Sequence, residues 1–311
     1  MEMVTRIGHM GLRVPDLDAA VDFQRAVLGM LETERTAGAA YLTCNERHHE
    51  LILIQDPVRR GYDHIGLEVP DAAALEQART QVVKAGGELL SDIYDGEPGI
   101  DRALRVRGPE GHVFKLFCGM QTDQVLEPGD RPIKFEHVSI KVRNLRRMER
   151  FLEKGLGFRF SDRMGPFAAW WHCDEDHHGM ALVVAPRPEL AHYCYAYNDL
   201  NEEGRVADRL RALRGRGIVW GPVRHGPGHN QSMYLHDNDG ALIELSSDLA
   251  RMTAEEGYTP RVWPATTTTL SQWDGRVPPL RFLLTGFPIA QQDWGRPAWA
   301  MSPDRTPAAT A

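Results

Sequence analysis

Three short segments of the chain combine strand-like alternation with side chains that bind metal ions. They contain His137, His192 and Glu244, and turn residues follow them, which is typical of short β-strands. Two imidazoles and one carboxylate on converging strands would form a facial triad, the ligand set that leaves half of an octahedral metal ion open. Zinc accepts the same three ligands, so the triad alone leaves the identity of the metal open.

Further side chains could act on a molecule bound at the open metal positions. His178 precedes a predicted strand, and an imidazole whose pKa lies near the working pH suits acid–base catalysis. His225 lies in a Gly/Pro-rich loop that could carry it over a cavity mouth, and the Tyr234 hydroxyl could hydrogen-bond a metal-bound oxygen. Trp170 could line an aromatic pocket. For each of these side chains the alternative is a structural role in the core.

The same residue types recur at a fixed distance in the chain. His9 precedes His137 by 128 residues, and His64 precedes His192 by 128 residues. Such agreement indicates a duplicated domain. Within each half the pattern of strand, capped helix and three strands occurs twice, and a unit of this kind cannot bury both faces of its sheet alone. We therefore expect two units to pair and to close a sheet around a cavity.

The predicted fold class is α+β, with four βαβββ modules in two tandem domains, each a partly closed mixed sheet around a cavity. The first domain is expected at residues 1–125 and the second at residues 132–250. Helices are predicted to end at glycines, the first of them at Gly29 after a cap at Asp16. A C-terminal extension, residues 251–311, holds four of the seven tryptophans and is expected to pack over the second domain as a lid or an oligomer contact. Its end, residues 301–311, is expected to be disordered.

The two copies differ where chemistry would occur. Lys115 stands in the first copy where Glu244 stands in the second, and Arg105 corresponds to Tyr234. An ammonium group cannot bind a metal ion. The first domain is therefore predicted to have kept the scaffold and lost the metal site.

Composition restricts the function classes. The 311 residues are 42% hydrophobic and 25% charged, as in soluble globular proteins. A formal charge of −7 and a pI near 6.0 argue against nucleic acid or an anionic membrane as the main partner. No apolar run approaches the roughly 20 residues of a membrane span, and the N-terminus lacks an apolar secretion core. Four scattered cysteines without a CxxC pair predict reduced thiols and a cytoplasmic location.

The second half resembles the catalytic domain of the type I extradiol ring-cleavage dioxygenases, in the vicinal oxygen chelate superfamily. The resemblance covers roughly residues 6–250, including an inactive first domain, and departs from the family pattern locally, at Val223 and Asn238. The matching motifs are Glu136-His137-Val138, Asp176-His177-His178-Gly179-Met180-Ala181-Leu182, Ala191-His192-Tyr193, Arg224-His225-Gly226-Pro227-Gly228-His229-Asn230-Gln231-Ser232-Met233-Tyr234 and Asp237-Asn238-Asp239-Gly240-Ala241-Leu242-Ile243-Glu244.

The resemblance implies an Fe(II) enzyme, with Mn(II) as a known variant, that inserts both atoms of O2 into a catechol ring next to the diol. The product would be of the muconic semialdehyde type, and relatives are commonly homo-oligomers, tetramers or larger. The implied metal ligands are His137, His192 and Glu244. The implied catalytic groups are His178, His225 and Tyr234. The predicted substrate-binding residues are Trp170, Ser139, Arg224 and His229.

Two other functions remain open at the sequence level. One is a glyoxalase-like metal-dependent isomerase, which needs carboxyl or amide ligands from different units, and Lys115 removes one candidate. The other is a non-catalytic ligand-binding member of the same superfamily, which would have no use for a triad surrounded by acid–base groups. The substrate also remains open among one-ring acids, biphenyl-type diols and polycyclic diols.

Overall fold

The computed structural model describes residues 3–127 and 129–290. Within them the chain forms 18 strands and six α-helices. The strands of the first half are β1 (Arg6–Val14), β2 (Leu31–Arg35), β3 (Ala39–Thr43), β4 (Leu51–Gln55), β5 (Gly61–Glu68), β6 (Glu88–Leu89), β7 (Tyr94–Asp95), β8 (Arg102–Arg107) and β9 (Val113–Cys118). Its helices are α1 (Leu17–Phe23) and α2 (Ala72–Lys84).

The second half repeats this order of elements, with one short strand fewer after its second helix. Its strands are β10 (Lys134–Val142), β11 (Arg159–Met164), β12 (Ala168–His172), β13 (Met180–Val184), β14 (Glu189–Ala196), β15 (Trp220–Arg224), β16 (Gln231–His236) and β17 (Leu242–Ser247). Its helices are α3 (Leu145–Arg150) and α4 (Leu200–Ala212). A tail adds β18 (Arg261–Trp263), α5 (Thr267–Leu270) and α6 (Leu280–Leu284).

Each half is one mixed sheet made from two modules. In the second half the strand order is β15-β16-β17-β14-β10-β13-β12-β11-β18. The first strands of the two modules, β10 and β14, pair antiparallel, and each also pairs in parallel with the last strand of its own module. The first half has the corresponding order β2-β3-β4-β1-β5-β9-β8-β6. The predicted α+β class and the four βαβββ modules are thus confirmed.

The helices of the first and third modules end as the glycine pattern predicts. Asp16 caps α1 by accepting a hydrogen bond from the backbone N–H of Ala19 at 3.0 Å. A π-helical turn continues α1 to Leu28, and Gly29 ends it with a left-handed φ of 75°. Gly157, with a φ of 80°, ends the helix of the third module in the same way. This conformation favours glycine because a Cβ atom would clash with the backbone.

Sequence patterns did not locate the short strands that follow the helices. β2 and β11 lie near sheet edges, mix charged with apolar residues, and so carry no clear alternation. The two halves share one continuous hydrophobic core. A hydrogen bond from Arg209 Nε to the Val27 carbonyl, 2.7 Å long, is one of the polar links between them.

The tail packs on the second domain, and its last described residues also contact the first domain. β18 extends that sheet by pairing in parallel with β11, and Phe287 bridges to Leu190 while Ile289 bridges to Tyr62. Trp294, Trp299 and the end predicted to be disordered lie outside the described residues. No helix within residues 3–127 and 129–290 is both long enough and apolar enough to cross a membrane.

Candidate active site

His137, His192 and Glu244 converge from three neighbouring strands, β10, β14 and β17. The Nε2 atom of His137 lies 3.1 Å from Glu244 Oε2, and the Nε2 atom of His192 lies 2.8 Å from the same oxygen. One ligand atom from each side chain lies within 4.8 Å of the other two. Two imidazole nitrogens and a carboxylate oxygen facing a common point can act as a facial ligand set for a divalent metal ion.

The Glu244 carboxylate is held with one oxygen toward the histidines. Its Oε1 atom accepts hydrogen bonds from Ser232 Oγ at 2.6 Å and from Asn230 Nδ2 at 3.1 Å. Burial disfavours ionisation of Glu244, but the adjacent His137 and His192 rings outweigh burial and hold the pKa of this carboxyl well below its usual range. The group is therefore an anion whose free oxygen is already oriented for a cation.

A β-bulge brings a second carboxylate to the other side of His137. The pairing of β10 with β14 skips Glu136, and the Glu136 Oε2 atom lies 3.1 Å from His137 Nδ1. A carboxylate only accepts, so the Nδ1–H group of His137 donates to it. Burial alone would lower the pKa of His137, but the Glu244 and Glu136 carboxylates raise it to about 9, so Nε2–H also donates, to Glu244. The Glu136 contact keeps the proton on Nδ1, so Nε2 is the nitrogen that would give up its proton to bind a metal ion.

A second group of three candidate ligands, Glu136, His137 and Cys194, also meets within 4.8 Å. It is the weaker candidate, because thiolate rather than thiol binds metals. Burial, together with the nearby Glu244 and Glu136 charges, raises the pKa of the Cys194 thiol well above its usual range. Within the described residues, these two groups are the candidate metal sites.

The triad lies in the wall of a cavity of about 380 Å³ in the second domain. Among the described lining residues, the ionisable ones are the triad, two nearby histidines, His178 and His225, and Tyr234. Most of the remaining lining is apolar or aromatic, and residues 269, 270, 278, 282 and 283 of the tail contribute to it. The cavity therefore has one polar end and one apolar end, which is common for small-molecule sites.

His178 lies beside the triad, with its ring centroid 4.4 Å from that of His137. Its Nδ1 atom is 2.9 Å from Nδ1 of His177, and the far nitrogen of His177 lies 3.2 Å from Asp162. Asp162 favours a proton on that far nitrogen, so His178 Nδ1 is the donor between the rings and its Nε2 is available to a ligand. Burial, with the His137 and His177 rings, lowers the pKa of His178 well below its usual range. His178 is thus neutral here, and the expected pKa near the working pH is wrong for this state.

His225 and Tyr234 form a hydrogen-bonded pair at the cavity. His225 Nδ1 lies 2.7 Å from the Leu270 carbonyl of the tail, which can only accept, so His225 donates there. Burial lowers the pKa of His225, so its Nε2 atom is unprotonated and accepts from the Tyr234 hydroxyl at 2.9 Å. Burial and then Glu244 raise the pKa of Tyr234 well above its usual range, which keeps the phenol protonated.

The four predicted substrate-binding residues separate into two groups. Trp170 and Ser139 line the cavity. Arg224 donates hydrogen bonds to the His229 carbonyl and to Asp248, each at 2.6 Å. Neither Arg224 nor His229 is among the described residues that line the cavity. The arrangement therefore gives no support to the predicted substrate-binding role of Arg224 and His229, because Arg224 is occupied by Asp248 at the rim of the domain.

Known families provide an independent test of the duplicated architecture. The sequence model of the Glyoxalase/Bleomycin resistance protein/Dioxygenase superfamily matches residues 6–116 and again residues 134–245, which together exceed half of the chain. The chain belongs to this superfamily. Both matches coincide with the two sheets of the structure.

Similar proteins of this superfamily include ring-cleaving enzymes. A metapyrocatechase from Pseudomonas sp. (strain CF600) is 26% identical over 263 residues, 78% of this chain and 85% of the relative. A manganese-dependent 2,3-dihydroxybiphenyl 1,2-dioxygenase from Geobacillus genomosp. 3 is 26% identical over 270 residues, with the same shares covered. The crystal structure of a Mn(II)-bound glyoxalase from Novosphingobium aromaticivorans has a TM-score of 0.84 and 25% identity, covering 92% of this chain and 96% of that one.

In the first superfamily domain, charged side chains occupy the positions that Glu244 and Tyr234 have in the second. Lys115 pairs with Arg105 across β8 and β9 as Glu244 pairs with Tyr234 across β16 and β17, so the sequence correspondence holds in the register. The Lys115 ammonium forms a buried ion pair with Glu97.

The two imidazoles of the first domain contact each other rather than a shared carboxylate. The Nε2 atoms of His9 and His64 are 3.0 Å apart, and His64 Nδ1 lies 2.7 Å from Asp63. Burial and then the Lys115 charge lower the pKa of His64 to about 3. The first copy thus has two neutral imidazoles and an ammonium where a metal site would need three ligands.

Sequence reasoning missed the residues that orient the site. Glu136, Asn230 and Ser232 were part of the motifs but had no predicted role. A signal existed for two of them, since residues 230, 232 and 234 alternate along one face at β16. Glu136 carried none, because strict alternation assigns it to the face opposite His137 and the bulge is a tertiary feature.

Proposed function

We propose that the protein is an extradiol dioxygenase that cleaves a catechol ring next to its vicinal hydroxyl groups. The observation that carries the proposal is the assembly of His137, His192 and Glu244 at the polar end of an aromatic-lined cavity, with His178 and the His225–Tyr234 pair beside them. The metapyrocatechase and the dihydroxybiphenyl dioxygenase among the relatives support it.

The donor set fits a divalent redox metal. One carboxylate oxygen and two imidazole nitrogens leave three octahedral positions free, which is the arrangement of non-haem Fe(II) oxygenases. We propose Fe(II) as the resident metal, with Mn(II) as the alternative, which the manganese-dependent relative supports. The contact of Glu136 with His137 and that of Ser232 with Glu244 orient these two side chains before the metal binds.

The metal would supply a common point at which both catechol oxygens and dioxygen can meet. The chain's own residues supply the remaining steps. Neutral His178 accepts a proton at Nε2 from a substrate hydroxyl and returns it to an oxygen atom as the ring opens. The Tyr234 hydroxyl, which donates its proton to His225, can accept a hydrogen bond from a substrate hydroxyl and so orient the ring. The apolar walls exclude water from the reacting oxygens.

The experiment is anaerobic reconstitution with Fe(II) or Mn(II), followed by addition of a catechol and O2. The expected result is one O2 consumed per catechol and a yellow ring-opened product. Glu244→Ala is expected to lose the bound metal and the activity, and His178→Asn is expected to keep the metal and lower kcat by roughly 100-fold or more. Metal retained by Glu244→Ala, or no O2 uptake with any catechol, would overturn the proposal.

The two other functions have distinct outcomes in the same assay. A glyoxalase-like isomerase would turn over a thiol adduct without consuming O2. A ligand-binding member would bind the catechol and leave it unchanged. The Mn(II)-bound glyoxalase among the structural neighbours is the reason to include the thiol-adduct control.

We further propose that the protein works in the cytoplasm as a homo-oligomer of four or more chains. All four cysteines are free and buried, which suits a reducing compartment. Sedimentation at micromolar concentration tests the assembly, and a monomer would contradict it.

A further inference from the structure

The apolar end of the cavity lacks a partner for a negatively charged substrate. Among the described residues that line the cavity there is no lysine or arginine. Beyond the triad, the walls are made by Met164, Phe167, Val183 and Val184 on the sheet side and by tail residues opposite them. A carboxylate placed against such walls would lose its hydration without gaining an ion pair.

The lysine that shares a strand face with His137 is already occupied. Lys141 lies four residues after His137 on the same face of β10, but its Nζ atom donates to the carbonyl oxygens of Leu283 at 2.8 Å and Thr285 at 2.7 Å. Its ammonium therefore fixes the end of α6 and is not available to a ligand.

The tail closes the cavity with further apolar surface. Phe282 contacts Tyr234 edge to face, with ring centroids 5.0 Å apart, and Leu283 lies beside it in the cavity wall. Leu283 and Val184 are 45% and 40% exposed. Both line the cavity and also contact solvent. A volume of about 380 Å³ falls in the range that encloses drug-sized ligands, so the space suits a ring with a substituent.

We infer that the substrate is a neutral catechol with an apolar substituent, and that the wall formed by Val184, Phe282 and Leu283 selects it against carboxylated catechols. This inference rests on the proposed ring-cleaving function. The substituent occupies the apolar end, while the two hydroxyl groups face His178 and the triad. A carboxylate of the same shape is rejected because its desolvation is uncompensated.

Matched substrate pairs test the inference on the Fe(II)-loaded protein. 4-Isobutylcatechol differs from 3,4-dihydroxyphenylacetate in having two methyl groups in place of two carboxylate oxygens, and 3-isopropylcatechol is related to 2,3-dihydroxybenzoate in the same way. In at least one pair the neutral member is expected to have a kcat/KM roughly 100-fold higher. Anaerobic titration should give a matching difference in Kd.

An introduced cation should reverse part of this selectivity. Leu283→Arg, and independently Val184→Arg, are expected to raise the acid-to-neutral ratio of kcat/KM by roughly 10-fold or more. Leu284→Arg is the matched control, because Leu284 is 57% exposed and lies outside the cavity wall; its ratio should stay that of the natural protein.

The outcomes separate the two proposals. If neither pair shows a preference for the neutral member, because both members are cleaved equally or the acid is preferred, the inference about substrate class is wrong while the ring-cleaving function stands. If no catechol in either pair is cleaved or bound, the proposed function fails and the inference fails with it. An equal change in Leu284→Arg would also overturn the assigned wall, because a general charge effect would then explain the result.

Discussion

At the scale of single residues, the chemistry of the triad depends on atoms that do not themselves face the cavity. Glu136 accepts a hydrogen bond from Nδ1 of His137 and so holds the proton on that nitrogen. Ser232 donates a hydrogen bond to Glu244 Oε1, the oxygen that faces away from the histidines. The first copy has Gly8 where the second has Glu136. His9 Nδ1 is accordingly buried without a hydrogen-bond partner among the described residues. The two copies therefore differ in the residues that orient the ligands as well as in the ligands.

We predict that Glu136→Ala weakens metal binding by roughly 10- to 100-fold, since the loss of an orienting carboxylate frees the His137 ring to rotate and to change tautomer. Chelator competition measures the metal Kd directly. Glu136→Gln should recover much of the affinity because its amide oxygen can still accept from Nδ1. An unchanged Kd in Glu136→Ala would show that the ring is fixed by packing alone.

At the scale of elements, β10 links the metal site to the tail. The same face of this strand carries His137, Ser139 and Lys141, and Lys141 binds the carbonyl groups at the end of α6. A lysine at a helix C-terminus satisfies carbonyl oxygens that lack partners within the helix. The helix is short, so its position depends on this contact and on the packing of Phe282 against the aromatic cluster.

We predict that Lys141→Met releases α6 from the cavity wall while leaving the metal bound. Hydrogen exchange at residues 281–285 should become at least roughly 10-fold faster, because a cationic anchor of carbonyl groups is worth about 1.5–3 kcal/mol. KM for an apolar catechol should rise more than kcat falls. Arg281→Met, an exposed change on the same helix, is the control, and equal exchange rates in the two variants would contradict the anchoring role.

At the scale of the whole molecule, the candidate metal site lies in one copy, and buried ion pairs occupy the interior of the other. The hydrophobic core is continuous between the halves. The polar interior of the first sheet is filled by ion pairs, such as those of Lys115 with Glu97 and of Arg13 with Asp63. These groups take the place of a bound cation and neutralise one another. Removing one partner from such a buried pair leaves an uncompensated charge.

We predict that Lys115→Ala lowers the free energy of unfolding by about 3–5 kcal/mol, because Glu97 is left buried and unpaired, while the metal content of the protein stays the same. Urea unfolding and metal analysis on the same samples measure both quantities. Lys115→Met combined with Glu97→Gln should recover much of the stability, since no buried charge remains. A fall in bound metal in Lys115→Ala would show that the first domain contributes to metal binding, which would contradict its assignment as a domain without a metal site.

The amino-acid sequence alone predicted the duplication, the module order and the three candidate metal ligands, because these follow from local periodicity and from residues repeated at fixed spacing. Gly29 predicted a helix end for the same reason, since its conformation is set by its immediate neighbours. Which side chains contact one another depends on how the strands and loops assemble. Three features depend on contacts between segments that are far apart in the chain: the β-bulge at Glu136, the ion pair of Arg224 with Asp248, and the position of Phe282 in the cavity wall. Local sequence patterns do not predict such contacts.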